Sequence, residues 1–341
     1  MSITTRCCGM LLLAMAACTG KEESNPEVTF AVPSNFPVPA YDFSKNPLTQ
    51  NGVELGKALF NEPMLSRNNS IACSECHSQP YAFTHHGHDV SHGIENRKGT
   101  RNSLPVQNLA WESGFFWDGG VNDLDFVPIA PIMNEVEMDE NMTDVLAKLR
   151  ATKKYPLLFR KAFGSEEITT DRFLKALSQF MLTLVSANSR YDKYVRKEGI
   201  TLSEEELTGL RLFKQHCATC HSGELFTDRQ FRNNGLYIQG AMDEGRYRIT
   251  GRESDKYTFR VPSLRNVEMS GPYMHDGRFY TLEAVLEHYA EGVQDTLNLD
   301  PALKGSPRPG IPLSPTEQKA IVAFLKTLTD QTFLTDKRFA P

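Results

Sequence analysis

The chain has 341 residues, 40% hydrophobic and 23% charged, with a formal net charge of −5. That length exceeds one small core and points to two domains. The mildly acidic balance gives no reason to expect nucleic acid as a partner and suits a small basic redox protein. Beyond residue 18 no apolar run approaches the roughly 20 residues of a membrane helix, so any membrane attachment has to come from a lipid anchor.

In chain order, the N-terminus carries a single early charge, Arg6, then a short apolar stretch at 9–17 that ends Met15-Ala16-Ala17-Cys18. This reads as an export signal over 1–18 with a lipobox, Cys18 becoming the lipidated first residue. Met15 is an unusual start for a lipobox; an ordinary signal peptide or a buried N-terminal helix are the alternatives. Residues 19–47 hold Pro26, Pro33, Pro37, Pro39 and Pro47 and predict a tether or extended strap. From Val53 the spacing of Leu55, Leu59 and Phe60 turns helical. Further helices are predicted at Met142–Arg150, Asp171–Ser186, Ser203–His216, Thr281–Tyr289 and Pro315–Leu328. Ser203 to Glu206 forms a capping box, and Pro315 suits a first turn. Alternating strands are scarce, so the expected fold is mainly α.

The chain repeats itself. Gly56-Lys-Ala-Leu-Phe precedes Cys73-Ser-Glu-Cys-His77, and Gly209-Leu-Arg-Leu-Phe precedes Cys217-Ala-Thr-Cys-His221, the two cysteine motifs lying 144 residues apart. Farther on, Phe116-Trp117-Asp118-Gly119 is answered by Met274-His275-Asp276-Gly277 at an offset of 158. Two related units follow, one over 48–190 and one over 191–341, with the join near 188–199.

A C-x-x-C-H motif attaches haem: two thiols form thioethers on one porphyrin edge, and the next histidine reaches the iron from the proximal face. Zinc or a redox dithiol would need neither a histidine after each pair nor the duplicated surroundings. Seven cysteines occur; Cys7, Cys8 and Cys18 fall in the export segment and the other four in the motifs, leaving none for disulfides. Each iron also has a distal face, which a protein ligand closes for electron transfer or which stays open for reaction. Candidates are His85, His86, His88 and His92 for the first haem, and Met274, His275, His288 and Tyr289 for the second.

From about Leu48 to Phe333 the chain resembles the bacterial dihaem cytochrome c peroxidase and MauG family. The carrying segments are Leu55-Gly56 with Leu59-Phe60, both haem motifs, Phe116 to Gly119, Pro131 with Glu137-Met138, Pro262 to Asn266, and Pro272 to Gly277. The resemblance implies two cytochrome c-like α domains with a calcium ion between them. It implies that Trp117 lies between the haems and that Glu137 moves protons during peroxide cleavage. Asn102, Ser270 and Pro272 match the calcium positions, and His92 the histidine that blocks the first haem in many resting peroxidases. Tyr289 matches the distal ligand of the second haem, with Met274 as rival. Two positions depart from the family. Val127 stands where a distal glutamine is usual, and Gly120 where an arginine closes the Trp-Asp-Gly segment.

The repeat makes the haems unequal. At the offset of 158, Tyr289 pairs with Pro131, which has no side chain able to ligate iron. The expected activity is periplasmic: hydrogen peroxide reduced at the first haem, with electrons from a small cytochrome c or cupredoxin entering at the second. The alternatives are MauG-like oxidation of a partner protein, favoured by Tyr289, and a non-enzymatic electron carrier. Thr19 after Cys18 gives no inner-membrane retention signal and points to the outer membrane; a homodimer is possible on this reading.

Overall fold

The computed structural model describes residues 24–236, 243–305 and 307–341. Cys18 and the segment before it lie outside these residues. The fold is mainly helical, as the sequence predicts. Strand structure among the described residues is one antiparallel ribbon, Phe231–Arg232 against Phe259–Arg260, and a few isolated bridges.

Each half is built on a crossed helix pair. In the first, Gln50–Phe60 packs on Thr170–Thr183; in the second, Glu204–His216 packs on Pro315–Lys326. The crossings need glycine. A Cβ on Gly56 would sit 1.9 Å from the Ala176 carbonyl oxygen, and one on Gly209 would sit 1.9 Å from that of Ala320. Beside each crossing two phenylalanines meet, Phe60 with Phe180 at 5.3 Å and Phe213 with Phe324 at 5.1 Å. Hydroxyl caps start all four helices: Thr49, Thr169, Ser203 and Ser314 each accept a backbone N–H of the first turn.

The loops repeat as faithfully as the helices. The bridge Phe115–Val121 returns as Tyr273–Phe279, and the left-handed residues Asn108 and Phe116 return as Asn266 and Met274, all at the offset of 158. One expected helix differs. The 281–289 segment is α-helical only over Leu282–Glu287 and then widens into a π turn, His288–Gly292. The Tyr289 carbonyl is taken by the Ile311 N–H at 2.7 Å, so it is drawn out of the helical ladder. Such turns recur at functional sites.

The halves meet through a buried polar network. Arg265 is fully buried and grips Asp192 with two bonds, at 2.7 and 2.9 Å. Gln107 Nε2 donates to the Arg265 carbonyl, and Asn266 Nδ2 donates to both Gln107 Oε1 and Ser186 Oγ. Asn108 and Asn266 play matching parts, accepting the N–H groups of Ser186 and Asp330. Two crossing segments reinforce this join. Residues 24–48 lie as a packed strap, with Phe36 edge-on to Trp111 at 5.0 Å and Trp111 Nε1 donating to the Pro37 carbonyl. The C-terminal Phe333 and Phe339 return to the first core, beside Phe83.

Candidate functional site

The short helix Cys73–Cys76 ends at His77, whose Nδ1 lies 2.8 Å from the Phe83 carbonyl. The second motif repeats this, His221 Nδ1 lying 3.1 Å from the Phe226 carbonyl. Both carbonyls belong to left-handed residues. With Nδ1 held by backbone, Nε2 is left to face a metal. Burial pushes His77 down to about 4 and also lowers His221, so both rings are neutral and able to ligate. Burial, then Cys76, pushes the Cys73 thiol up to about 12, and burial pushes Cys76 up to about 11. That is the opposite of a reactive redox dithiol. The described residues hold no group of three or more His, Cys, Asp or Glu placed for a metal ion, so the four cysteines do not form one zinc site. Two thiols and one buried, backbone-oriented imidazole, twice over, fit covalent haem.

Around the first motif, Glu137 lies close enough to raise both cysteine pKa values. Burial raises its own, and a 2.7 Å bond from Asn134 Nδ2 to Oε1 opposes the rise. The missing side chain of Gly93 seats His92 against this segment: a Cβ there would meet the Glu137 Cα at 2.5 Å. Outside, Arg67 and Arg97 clamp Glu95 and Asp139, tying the two loops together. His92 Nδ1 lies 2.7 Å from Asn96 Oδ1, and its Nε2 is buried with no partner. His85 has both ring nitrogens buried and partnerless. His85, His88 and His92 form one cluster with ring centroids 4.5–6.3 Å apart, whereas His86 is turned away and stacked on Tyr81. Pro131 touches the same segment, its carbonyl accepting the Met138 N–H, and Val127 packs on the first core.

Around the second motif lies a cavity with about 1490 Å³ of atom-free space, mouth included. Cys217, Cys220 and His221 line it, and so do Met274 and Tyr289. Burial pushes the Tyr289 phenol up to about 12, and the Asn234 amide acts against that rise. Met274 Sδ accepts a bond from Asn234 Nδ2 at 3.2 Å. His275 stacks on Phe259 at 3.7 Å, and His288 Nε2 is engaged by the Asn234 backbone carbonyl at 3.0 Å.

Trp117 comes from the first half yet lines this second cavity, its Nε1 donating to the Asn102 carbonyl at 2.8 Å. Asn102, Ser270 and Pro272 line it too. The Asn102 N–H donates to the His275 carbonyl, and its Nδ2 to the Asp89 carbonyl, leaving Oδ1. Against Trp117 lies a buried ion pair, Arg260 with Glu112 at 2.8 Å, and the Arg260 N–H donates to the Trp117 carbonyl. Sequence reasoning passed over Asn234, Glu112 and Arg260, because their roles come from contacts between remote segments. The paired Asn233-Asn234-Gly235 turn was the one local signal at hand.

Comparison with known proteins agrees with this geometry. A family model described as di-haem cytochrome c peroxidase matches residues 50–199. The methylamine utilization protein MauG of Methylorubrum extorquens is 36% identical over 96% of this chain and 90% of its own. The cytochrome c551 peroxidase of Nitrosomonas europaea is 35% identical over 81% of this chain and 79% of its own. A crystal structure of a MauG-like protein associated with microbial copper homeostasis superposes with a TM-score of 0.82 at 32% identity, covering 92% of this chain and 99% of that one. With relatives at this identity along nearly its whole length, the chain belongs to the di-haem cytochrome c peroxidase and MauG family.

Proposed function

We propose that hydrogen peroxide is reduced beside the first motif and that the electrons come from a protein partner by way of the second. When bound, haem supplies the iron that takes peroxide and holds oxidising equivalents. Every other part of the reading falls to the chain. His77, fixed by the Phe83 carbonyl, offers Nε2 from the proximal side. Asn134 pins Glu137 Oε1, leaving Oε2 to take a proton from the inner peroxide oxygen and return it to the outer one as water leaves. Val127 offers peroxide no hydrogen bond, and Pro131 no ligand. His92, with Nδ1 anchored and Nε2 partnerless, is the group placed to close the first iron at rest. Trp117 and Tyr289 line the second cavity, so Trp117 would bridge toward the second haem and Tyr289 would hold it.

Tyr289 carries the choice between donors. A phenolate is a hard oxygen ligand that would favour oxidised iron, so the second haem would be suited to hold an oxidising equivalent supplied by peroxide, to be spent on a side chain of a partner protein. A methionine-ligated haem would suit a small cytochrome c or cupredoxin. The MauG-like reading is therefore favoured over simple peroxidase turnover, and a passive carrier would have no use for the buried acid Glu137. The test is holoprotein with peroxide and either reduced cytochrome c or the protein encoded beside this gene. The reading expects a peroxide-dependent mass change in that protein and slow turnover with cytochrome c. Rapid turnover with cytochrome c and no modification would replace it with peroxidase; no reaction with peroxide would leave the carrier.

Three further assignments belong to this reading. A calcium ion would take Asn102 Oδ1, backbone oxygens of Ser270 and Pro272, and water, since calcium needs 6–8 oxygens. Export to the periplasm and outer-membrane anchoring rest on Cys18; among the described residues no helix is long and apolar enough to cross a membrane. A homodimer would be read from sedimentation of the holoprotein.

A further inference from the structure

Two side chains able to ligate iron, Tyr289 and Met274, line the second cavity with His221. We propose that Asn234 selects between them, its amide occupying the Met274 sulfur and leaving the Tyr289 oxygen as the distal ligand. The inference rests on the reading that Tyr289 ligates the second iron, and adds what keeps methionine out.

The observations start at the sulfur. Asn234 Nδ2 lies 3.2 Å from Met274 Sδ, inside hydrogen-bonding reach for a thioether. A sulfur lone pair aimed at an amide proton is not aimed at a metal. The Met274 side chain has three rotatable bonds and a soft, adaptable sulfur, so nothing intrinsic to it prevents a turn toward iron. Its backbone is fixed in the left-handed region by the turn closed by the Tyr273–Phe279 bridge, so the choice is made by side-chain torsions alone.

Asn234 is itself held firmly enough to make that choice. The His288 ring nitrogen lies 3.0 Å from its carbonyl, and His288 is the neighbour of Tyr289 in the π turn. On the other side Asn233 is buried, donates to Thr296 Oγ1 and the Leu297 carbonyl, and accepts the Gly235 N–H. The residues either side of the selector are thus fixed from the 288–297 segment, which also carries the favoured ligand. Groups that orient metal ligands in this way typically change site properties by ~10–100-fold when removed. The first half has no counterpart, since Pro131 stands where Tyr289 would and Phe116 where Met274 would.

The experiment is ferric and ferrous spectroscopy with redox titration of the dihaem holoprotein, in Asn234→Leu, Met274→Leu, the double variant and Tyr289→Phe. Asn234→Leu keeps the volume and removes the donor. It is expected to give the second haem the far-red sulfur-to-iron band of a methionine ligand and a higher reduction potential. Met274→Leu alone is expected to keep the tyrosinate spectrum, and the double variant to lose the sulfur band. Asn234→Leu with an unaltered tyrosinate spectrum and potential would overturn the selection while leaving Tyr289 as ligand. Tyr289→Phe with the native spectrum would instead overturn the ligand reading itself. Should Asn234→Leu fail to take up haem, Asn234→Ser, with a donor too short to reach the sulfur, is read by the same two signatures.

Discussion

Replacing Glu137 by glutamine tests the chemistry at one atom. The side chains are nearly isosteric, and Asn134 Nδ2, now 2.7 Å from Oε1, can donate equally to a glutamine carbonyl oxygen. The loop that seats His92 through Gly93 involves only the backbone of residue 137, which the change leaves alone. What disappears is the oxygen that takes and returns a proton. A positioned acid–base group contributes ~10²–10⁴-fold, or roughly 2.7–5.4 kcal/mol of barrier. Burial raises the Glu137 pKa, so the ionised base is lost, as pH falls, at a higher pH than for a free glutamate near ~4.3. The native rate should therefore fall on acidification with a midpoint above that value, and Glu137→Gln should lose that acid limb along with the rate. Stopped-flow absorbance of the holoprotein mixed with peroxide, across pH, reads both. Native-rate reaction by Glu137→Gln, or an acid limb that survives it, would refute the assignment.

Three further outcomes are expected. Asp192→Asn leaves the fully buried Arg265 without its counter-charge and should destabilise the fold by about 3–5 kcal/mol in guanidinium unfolding. Burial alone would raise Asp192, but the Arg265 hydrogen bonds and charge hold it below the ordinary value. Its stabilisation is present above the unfolded aspartate pKa and lost as pH falls through the lower folded one, so the variant should show a flatter acid side. Gly209→Ala should cost about 1–3 kcal/mol, because the new methyl meets a backbone carbonyl that cannot turn aside, whereas Gly99→Ala, with nothing nearer than 3.8 Å, should be close to neutral by the same measurement. Cys18→Ser should move the protein from membrane to soluble fractions; unchanged retention would remove the lipid anchor from the account.

The mainly helical fold, the duplication and both haem motifs were legible in the sequence, because these are written in local spacing: a 3.6-residue period, capping residues, and C-x-x-C-H. The offset of 158 read from Asp118 and Asp276 recurs in the bridges Phe115–Val121 and Tyr273–Phe279 and in the left-handed residues of both halves. The tertiary structure decided what depends on segments far apart in the chain. It joined the halves through Gln107, Ser186 and Asn266, laid the proline-rich segment down as a packed strap, and carried Phe333 and Phe339 back to the first core. It drew three of four candidate histidines together and sent His86 to Tyr81. It also widened the helix after Glu287 into a π turn whose Tyr289 carbonyl accepts the Ile311 N–H, and it brought Asn234 to the Met274 sulfur. No periodicity encodes such contacts; each forms only once the chain has folded and a donor from one segment finds an acceptor in another.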